Sequence, residues 1–187
     1  MVSHLITTTL QAAFLSAVSN LAAQGIKAYR ESLPFSVKLA PLAQFVVFTF
    51  ISCPPNILWQ EYLEYKFPGY TIAPISPSTT SSSPNAAGTQ LHIPNTLRKF
   101  LFDQTLGAFV NTVAFVAAMA AFKGKSAKAV RREVERDVIP LMISSWKLWP
   151  IVALLNFTLV PVNRRVIVAS VVGLFWGIYL SLFAALD

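Results

Sequence analysis

The stretch "SSWKLWPIVALLNFTLVPVNRR", residues 144–165, decides how this chain is built. It is mostly apolar, yet a lysine stands near its beginning. A charge at the centre of a membrane helix costs about 3 kcal/mol on insertion scales. Lys147, however, lies only about six residues after Leu141, or ~9 Å along a helix. A lysine side chain can snorkel most of that distance, so Lys147 does not exclude insertion into a membrane.

The same stretch contains two helix breakers, Pro150 and Pro161. Proline has no N–H to donate and clashes with the preceding turn, so each is a predicted break or kink. Asn156 lies between them and can hydrogen-bond inside a helical bundle. We therefore predict that residues 141–162 form a bent or partly inserted apolar segment rather than a straight span.

Uncharged segments of membrane length stand on both sides of this stretch. Of 187 residues, 55% are hydrophobic and only 12% are charged, whereas soluble domains average roughly a quarter charged residues. A bilayer core requires about 20 residues per helix, which gives the predicted spans 5–26, 39–60, 104–122 and 166–186. The sequence predicts an all-α fold, a polytopic helical membrane bundle with four transmembrane helices. Together with the bent segment they form a single integral membrane domain, residues 1–187.

The basic residues lie between the apolar segments. The formal net charge is +7, and this distribution favours contact with a lipid bilayer over nucleic acid. The connections 27–38 and 123–140 hold most of the basic residues and are predicted to share one side of the membrane. Within 123–139, one side of a helix is lined by Ala127, Val130, Val134 and Val138. We predict an amphipathic surface helix there; the alternative is a charged, solvated helix.

Two other segments depart from regular helical sequence. Residues 71–94 are rich in Ser, Thr and Pro and carry no charge, so a disordered loop is predicted. Pro54 and Pro55 lie inside the second apolar segment and are predicted kinks. Membrane helices tolerate such breaks where neighbouring groups satisfy the freed carbonyls.

Several predicted spans have a face of small or polar residues. Such faces pack helices together or line a polar path, and both interpretations stay open. The polar residues of these faces, with the charged residues at their ends, are the candidate polar-path residues: Asn20, Gln24, Asn56, Asp103, Gln104, Asn111, Lys147, Asn156, Arg164 and Arg165. Lys147 either faces the headgroups or turns inward to Asp103, and both alternatives are kept.

The last segment carries small residues at every fourth position, Gly173, Gly177 and Ser181. This spacing lets two helices approach closely and predicts helix packing. A homo-oligomer through the Gly173/Gly177 face is an expected partner. The pattern says nothing about chemistry.

Catalytic signatures are missing from the sequence. The chain has two histidines and one cysteine, and no HxxxH, CxxC, GxSxG, P-loop or GxGxxG motif occurs in it. We therefore expect neither an enzyme nor a metal or cofactor site.

The order of segments and several short motifs resemble one family of organelle membrane proteins. The family contains the peroxisomal membrane protein of twenty-two kilodaltons and the mitochondrial inner-membrane protein Mpv-seventeen, and the likeness is to its fungal members. The residues that carry the resemblance are Pro54, Trp59, Leu63, FPG at 67–69, DQ at 103–104, WKLWP at 146–150, NF at 156–157, VP at 160–161, Arg164 or Arg165, Trp176 and YLS at 179–181. The resemblance covers nearly the whole chain except the Ser/Thr/Pro insert.

This resemblance implies a four-helix organelle membrane protein. Members of the family are associated with weakly selective channels for small solutes and with organelle integrity. The expected function is therefore a weakly selective pore, and the alternative is a structural or scaffold protein without transport activity. The peroxisomal membrane is favoured over the mitochondrial inner membrane because no Arg-rich presequence is seen. Ser19, Asn20, Asn56 and Gln60 depart from the family pattern.

Overall fold

The computed structural model describes the backbone of residues 2–72 and 89–183, with side chains for 3–70 and 90–178. Helices dominate it, and the predicted all-α helical membrane fold is confirmed. The helices are α1 (Val2–Arg30), α2 (Leu39–Lys66), α3 (Ile93–Phe102), α4 (Ala108–Phe122), α5 (Ala127–Ser145), α6 (Trp149–Leu159) and α7 (Val162–Phe183). A π-helical turn, Asp103–Gly107, joins α3 to α4 without a break.

Three helices among the described residues are long and apolar enough to cross a membrane: Ser3–Arg30, Leu39–Lys66 and Ile93–Phe122. A fourth span results if the bent pair Ala127–Ser145 and Trp149–Leu159 is counted as one. Residues 166–183 of the predicted span 166–186 lie in α7, and residues 184–186 lie outside the described residues. The number of spans therefore stays a prediction.

The helices extend beyond the predicted spans, because residues around the charges at the span ends are also helical. The second span was predicted to end at residue 60 and the third to begin at residue 104, whereas α2 continues to Lys66 and the third long helix begins at Ile93. Both extensions contain charges that are paired within the bundle. A rule that ends each span at the first charge therefore places these helix ends wrongly.

The predicted loop 71–94 is shorter than expected. Tyr70–Ile72 (β1) and Thr89–Leu91 (β2) pair as antiparallel strands, and α3 follows at once with His92 as its N-cap. Pro94 sits in the first turn of α3, where its missing N–H needs no partner. Residues 73–88, the centre of the predicted loop, lie outside the described residues.

The segment 141–162 is bent, as predicted, although it takes in the end of α5, all of α6 and the first residue of α7. The axes of α5 and α6 meet at 58°. Pro150 lies in the first turn of α6 and Pro161 between α6 and α7, so both mark helix boundaries. Pro54 and Pro55, in contrast, lie inside the continuous α2.

Among the described residues, the core consists of three small clusters rather than one large one. Ala12, Cys53 and Ile57 join α1 to α2, and Leu63, Ala153 and Phe157 join α2 to α6. The third cluster joins α4 to α5 through Val116, Val138 and Met142, with Val134 packed against it.

The apolar stripe of the predicted surface helix therefore lies partly against another helix. Val134 and Val138 contact α4 rather than headgroups. The predicted boundaries, 123–139, also change, because the helix is Ala127–Ser145 and begins at an N-cap, Ser126. The stripe looked lipid-facing because α4, its partner, could not be identified from spacing alone.

Candidate functional site

Four charged side chains of α2, the third long helix and α7 meet at one end of the bundle. We call this set the charged cluster: Glu64, Lys99, Asp103 and Arg165. It lies where α2 and α6 end and where the third long helix and α7 begin. Three of these charges belong to helices that are apolar enough to cross a bilayer, and the fourth belongs to α7. Such residues are rare in membrane segments and usually functional.

Glu64 is the carboxylate that joins two buried cations. Its Oε2 accepts a 2.7 Å hydrogen bond from Lys99 Nζ and lies 2.7 Å from Arg165 Nη1. The side chains of Lys99 and Arg165 are 0% and 3% exposed, whereas that of Glu64 is 25% exposed. Glu64 is therefore the point at which this pairing reaches the surface.

Arg165 is also held by the end of α6. Its Nε donates to the carbonyls of Asn156, at 3.2 Å, and Val160, at 3.1 Å. The carbonyl of Val160 is available because Pro161 has no N–H and ends the helix, whereas that of Asn156 also accepts from Val160 N–H at 3.2 Å. The buried Phe157 ring lies 5.1 Å from the guanidinium and 5.5 Å from Lys99 Nζ, which adds cation–π stabilisation.

A glycine corner closes over the ion pair. The N–H of Gly69 donates to Glu64 Oε1 at 2.8 Å, and a Cβ at this position would lie 2.6 Å from Lys99 Nζ. The carbonyl of Gly69 accepts from His92 N–H at 2.8 Å. The FPG motif at 67–69 therefore brings its backbone against the cluster, and any side chain at Gly69 would force Lys99 Nζ to move.

Asp103 opens the π-helical turn and accepts three side-chain hydrogen bonds. Its Oδ1 accepts from Trp59 Nε1 at 3.2 Å and from Gln60 Nε2 at 2.9 Å. Its Oδ2 accepts from Gln104 Nε2 at 3.1 Å. Protein side chains therefore occupy three of the four acceptor sites that a carboxylate offers. The indole of Trp59 reaches Asp103 over Gly107, where a Cβ would lie 2.8 Å from Nε1.

Two buried acceptors at this end have no hydrogen-bond partner among the described residues. They are Gln104 Oε1 and Asn156 Oδ1, in side chains only 9% and 7% exposed. The amide of Asn156 instead donates to the carbonyl of Arg165 at 3.4 Å. Buried acceptors of this kind are usually satisfied, so each lacks a donor that the described side chains do not supply.

Three predicted polar-path residues do not join the cluster. Lys147 is exposed between α5 and α6, and Arg164 and Asn111 are also exposed. The alternative in which Lys147 turns inward to Asp103 is wrong, because Trp59, Gln60 and Gln104 occupy that carboxylate. The bend between α5 and α6 points Lys147 outward.

The remaining predicted polar residues lie elsewhere. Gln24 Nε2 donates to Asn20 Oδ1 at 2.8 Å, at the opposite end of the bundle. There Gln24 also bonds the backbone of Lys38, so this pair joins α1 to the start of α2. Asn56 is half-buried in α2.

The predicted small-residue face of α7 packs within the chain. Ser19 of α1 donates to the carbonyl of Leu174 at 3.0 Å, and a Cβ at Gly177 would lie 2.5 Å from Ser19 Oγ. Gly173 faces the ring of Trp149 with ordinary spacing, and Ser181 lies outside the described side chains. At Gly177 the face predicted for a homo-oligomer is therefore occupied by α1.

Glu64 and Lys99 were missed by the sequence reasoning, as were the donors Trp59 and Gln60. Lys99 and Asp103 are four residues apart and so share one face of a helix, a spacing that signals a common interior position. Both residues precede the predicted span 104–122, so the sequence reasoning placed them in a connection between helices. In such a connection a four-residue spacing does not indicate a shared face.

Residues 120–181 match the model of the Mpv17 / PMP22 family. PXMP2/4 family protein 3 of Dictyostelium discoideum is 38% identical over 86 residues, 46% of this chain and 46% of that protein. The mitochondrial inner membrane protein Mpv17 of Homo sapiens is 36% identical over 85 residues, 46% of this chain and 48% of that protein. Protein sym1 of Schizosaccharomyces pombe is 24% identical over 95% of this chain and 84% of its own length.

No solved structure matches this chain. The chain spans about half the length of the first curated relatives it matches. The matched residues include Asn156, Phe157 and Arg165 but not the three other charges of the cluster. The resemblance of the sequence to the Mpv17 / PMP22 family is therefore confirmed over residues 120–181.

Proposed function

We propose that this protein is a weakly selective, non-enzymatic pore for small solutes in an organelle membrane, with the charged cluster at its mouth. The observation that carries the proposal is the burial of Lys99 and Arg165 beside a single carboxylate, Glu64. Charged groups inside membrane segments are costly and typically mark ion or substrate pathways.

In the described arrangement the mouth is closed, because the charges satisfy one another. Glu64 holds both cations, and Asp103 is bonded by three side chains. Opening requires the separation of α7 from α2 at the contact between Arg165 and Glu64. The unpartnered acceptors Gln104 Oε1 and Asn156 Oδ1 would then face the passing water and solute.

The test is conductance of the purified full chain in planar bilayers. Wild type should conduct, and Glu64→Gln should raise the open fraction because Arg165 loses its carboxylate. Asp103→Asn should change the preference for cations over anions. Glu61→Gln is the matched control, since Glu61 lies one turn away in α2 and outside the cluster. Wild-type protein that conducts no more than protein-free bilayers would contradict the proposal.

A structural role without transport is the second candidate. The polar contacts between α1 and α7 favour it: His4 Nε2 lies 2.9 Å from the carbonyl of Asn163, and Ser19 Oγ donates to the carbonyl of Leu174 at 3.0 Å. Such polar contacts stabilise a membrane bundle without any path. Loss of the protein should then change organelle shape with solute permeability unchanged, whereas lost permeability with normal shape would exclude this role.

The organelle is part of the proposal. The sequence favoured the peroxisome, whereas the human relative is named a mitochondrial inner membrane protein, which supports the mitochondrial alternative. Imaging the tagged chain against markers of both organelles distinguishes the two.

A further inference from the structure

Four helix ends and one connection meet at the end of the bundle opposite the charged cluster. Lys38 N–H donates to Gln24 Oε1 at 2.7 Å, which ties the connection 31–38 to α1. Gln44 Nε2 donates to the carbonyl of Phe122, the last residue of α4, at 3.4 Å. The α1–α2 connection and the start of α5 therefore share this end.

Four cations at this end are exposed and have no acidic partner among the described residues: Lys38, Lys123, Lys128 and Arg132. The neighbouring acids are already engaged. Glu31 pairs with Lys27, and the three acids of α5 pair with the cations Lys125, Arg131 and Arg136. Lys128 and Arg132 are spaced by four and so share one face of α5.

The connection beside these cations presents apolar side chains to the outside. Leu33 is 58% exposed, Phe35 is 57% exposed and Val37 is 43% exposed. They alternate with smaller or polar residues in a segment without helical structure. Exposed apolar side chains are unfavourable in water, but they suit the boundary between headgroups and acyl chains when cations lie next to them.

We propose that this end of the bundle is a binding surface for anionic phospholipids. The four cations contact headgroup phosphates, and Leu33, Phe35 and Val37 enter the acyl boundary below them. Clusters of basic residues immediately outside a membrane segment have this preference. The surface thus prefers anionic over neutral phospholipids. The contact of a membrane-spanning helix with acyl chains gives no such preference.

The experiment measures which lipids stay bound to the full chain. The protein is reconstituted in nanodiscs of phosphatidylcholine containing a minor fraction of phosphatidylglycerol of the same acyl length. Bound lipids are counted by native mass spectrometry after release. Enrichment is the ratio of the two lipids on the protein divided by their ratio in the disc.

Two double variants are compared with a matched control. Lys38→Gln with Lys123→Gln, and Lys128→Gln with Arg132→Gln, each remove two cations of the surface. Lys66→Gln with Arg98→Gln removes two exposed cations from the opposite end. Circular dichroism and size-exclusion profiles first establish that each variant keeps its helices.

Wild type should enrich the anionic lipid, and enrichment should fall by about fivefold for each surface cation removed, since one cation near an anionic surface contributes roughly 1 kcal/mol. The control should keep wild-type enrichment. Equal loss in the control overturns the proposal, because the effect would then be net charge alone. Displacement of the lipid by inorganic phosphate at matched ionic strength also overturns it, because the surface would then be a site for free anions.

Discussion

The two ends of the bundle hold the same kinds of charged residue in opposite environments. At one end Lys99 and Arg165 are buried, share Glu64 and lie against Phe157. At the other end Lys38, Lys123 and their neighbours are exposed. The difference shows that a basic residue beside an apolar segment carries no single meaning: in one place it extends a helix into the bundle, and in the other it marks the edge of the membrane.

The largest effect is expected at the buried end, where substitutions of the adjacent Arg165 and Arg164 are compared. Arg165→Met leaves Glu64 with one cation and frees the end of α6, and breaking a buried ion pair costs about 3–5 kcal/mol. We expect a loss of stability of that size, measured by thermal unfolding in detergent.

The matched control is Arg164→Met, whose side chain is exposed. Surface changes usually stay within about 0.5 kcal/mol. Similar losses in both variants would remove the distinction between buried and exposed charge at this end.

A glycine at each end provides the next test. Gly69→Ala forces a Cβ to within 2.6 Å of Lys99 Nζ, and overpacking of this kind costs about 1–3 kcal/mol. At Gly25, inside α1, a Cβ would meet only Phe35 at 3.8 Å, so Gly25→Ala should stabilise by about 0.5–1 kcal/mol. Opposite signs in unfolding temperature support the comparison; two changes of the same sign contradict it.

A smaller effect is expected at Asp103, whose carboxylate accepts hydrogen bonds from three side chains. Trp59→Phe removes one hydrogen bond to Asp103 while keeping an aromatic ring, and one such bond contributes about 1 kcal/mol. The same change at the exposed Trp146, which donates to the carbonyl of Gln104 at 3.1 Å, should cost less because water replaces the indole. Chemical denaturation of the two variants side by side gives the difference.

The smallest effect is expected at the exposed end. Arg131 and Glu135 form an exposed pair at 2.7 Å on α5, and such pairs contribute little because solvent screens them. Glu135→Gln should leave the unfolding temperature unchanged within error. A measurable loss would mean that the exposed end is held by its charges as the buried end is.

The fold class followed from the sequence because several uncharged runs of about 20 residues are characteristic of membrane-spanning helices. The bend in residues 144–165 followed from Pro150 and Pro161, whose effect is local. Among the site residues, Asp103, Gln104, Asn156 and Arg165 were identified, since polar groups in apolar runs are conspicuous.

The partners of these residues were not predictable in the same way. Glu64 lies 101 residues from Arg165 along the chain, and no local pattern relates them. Gly177 and Ser19 face each other for the same reason: small residues predict a close approach but do not identify the helix that approaches. Two directions were left open for the Lys147 side chain because its direction depends on the angle of the bend. The positions of the prolines in the sequence predict where the bend lies but not its angle.

The π-helical turn at Asp103–Gly107 has a consequence for how this helix tolerates change in length. A π turn accommodates one more residue than an α turn, and each residue of an α-helix advances the next by about 100°. Deleting one residue within Asp103–Gly107 would therefore restore α geometry and leave α4 at nearly the same angle to α3. Lys99 would still face Glu64 and Val116 would still face Met142, whereas the same deletion inside the regular α4 would turn the residues that follow it by about 100°. The turn is therefore the place where this helix can lose one residue and keep the register between the half that holds charge and the half that packs on α5.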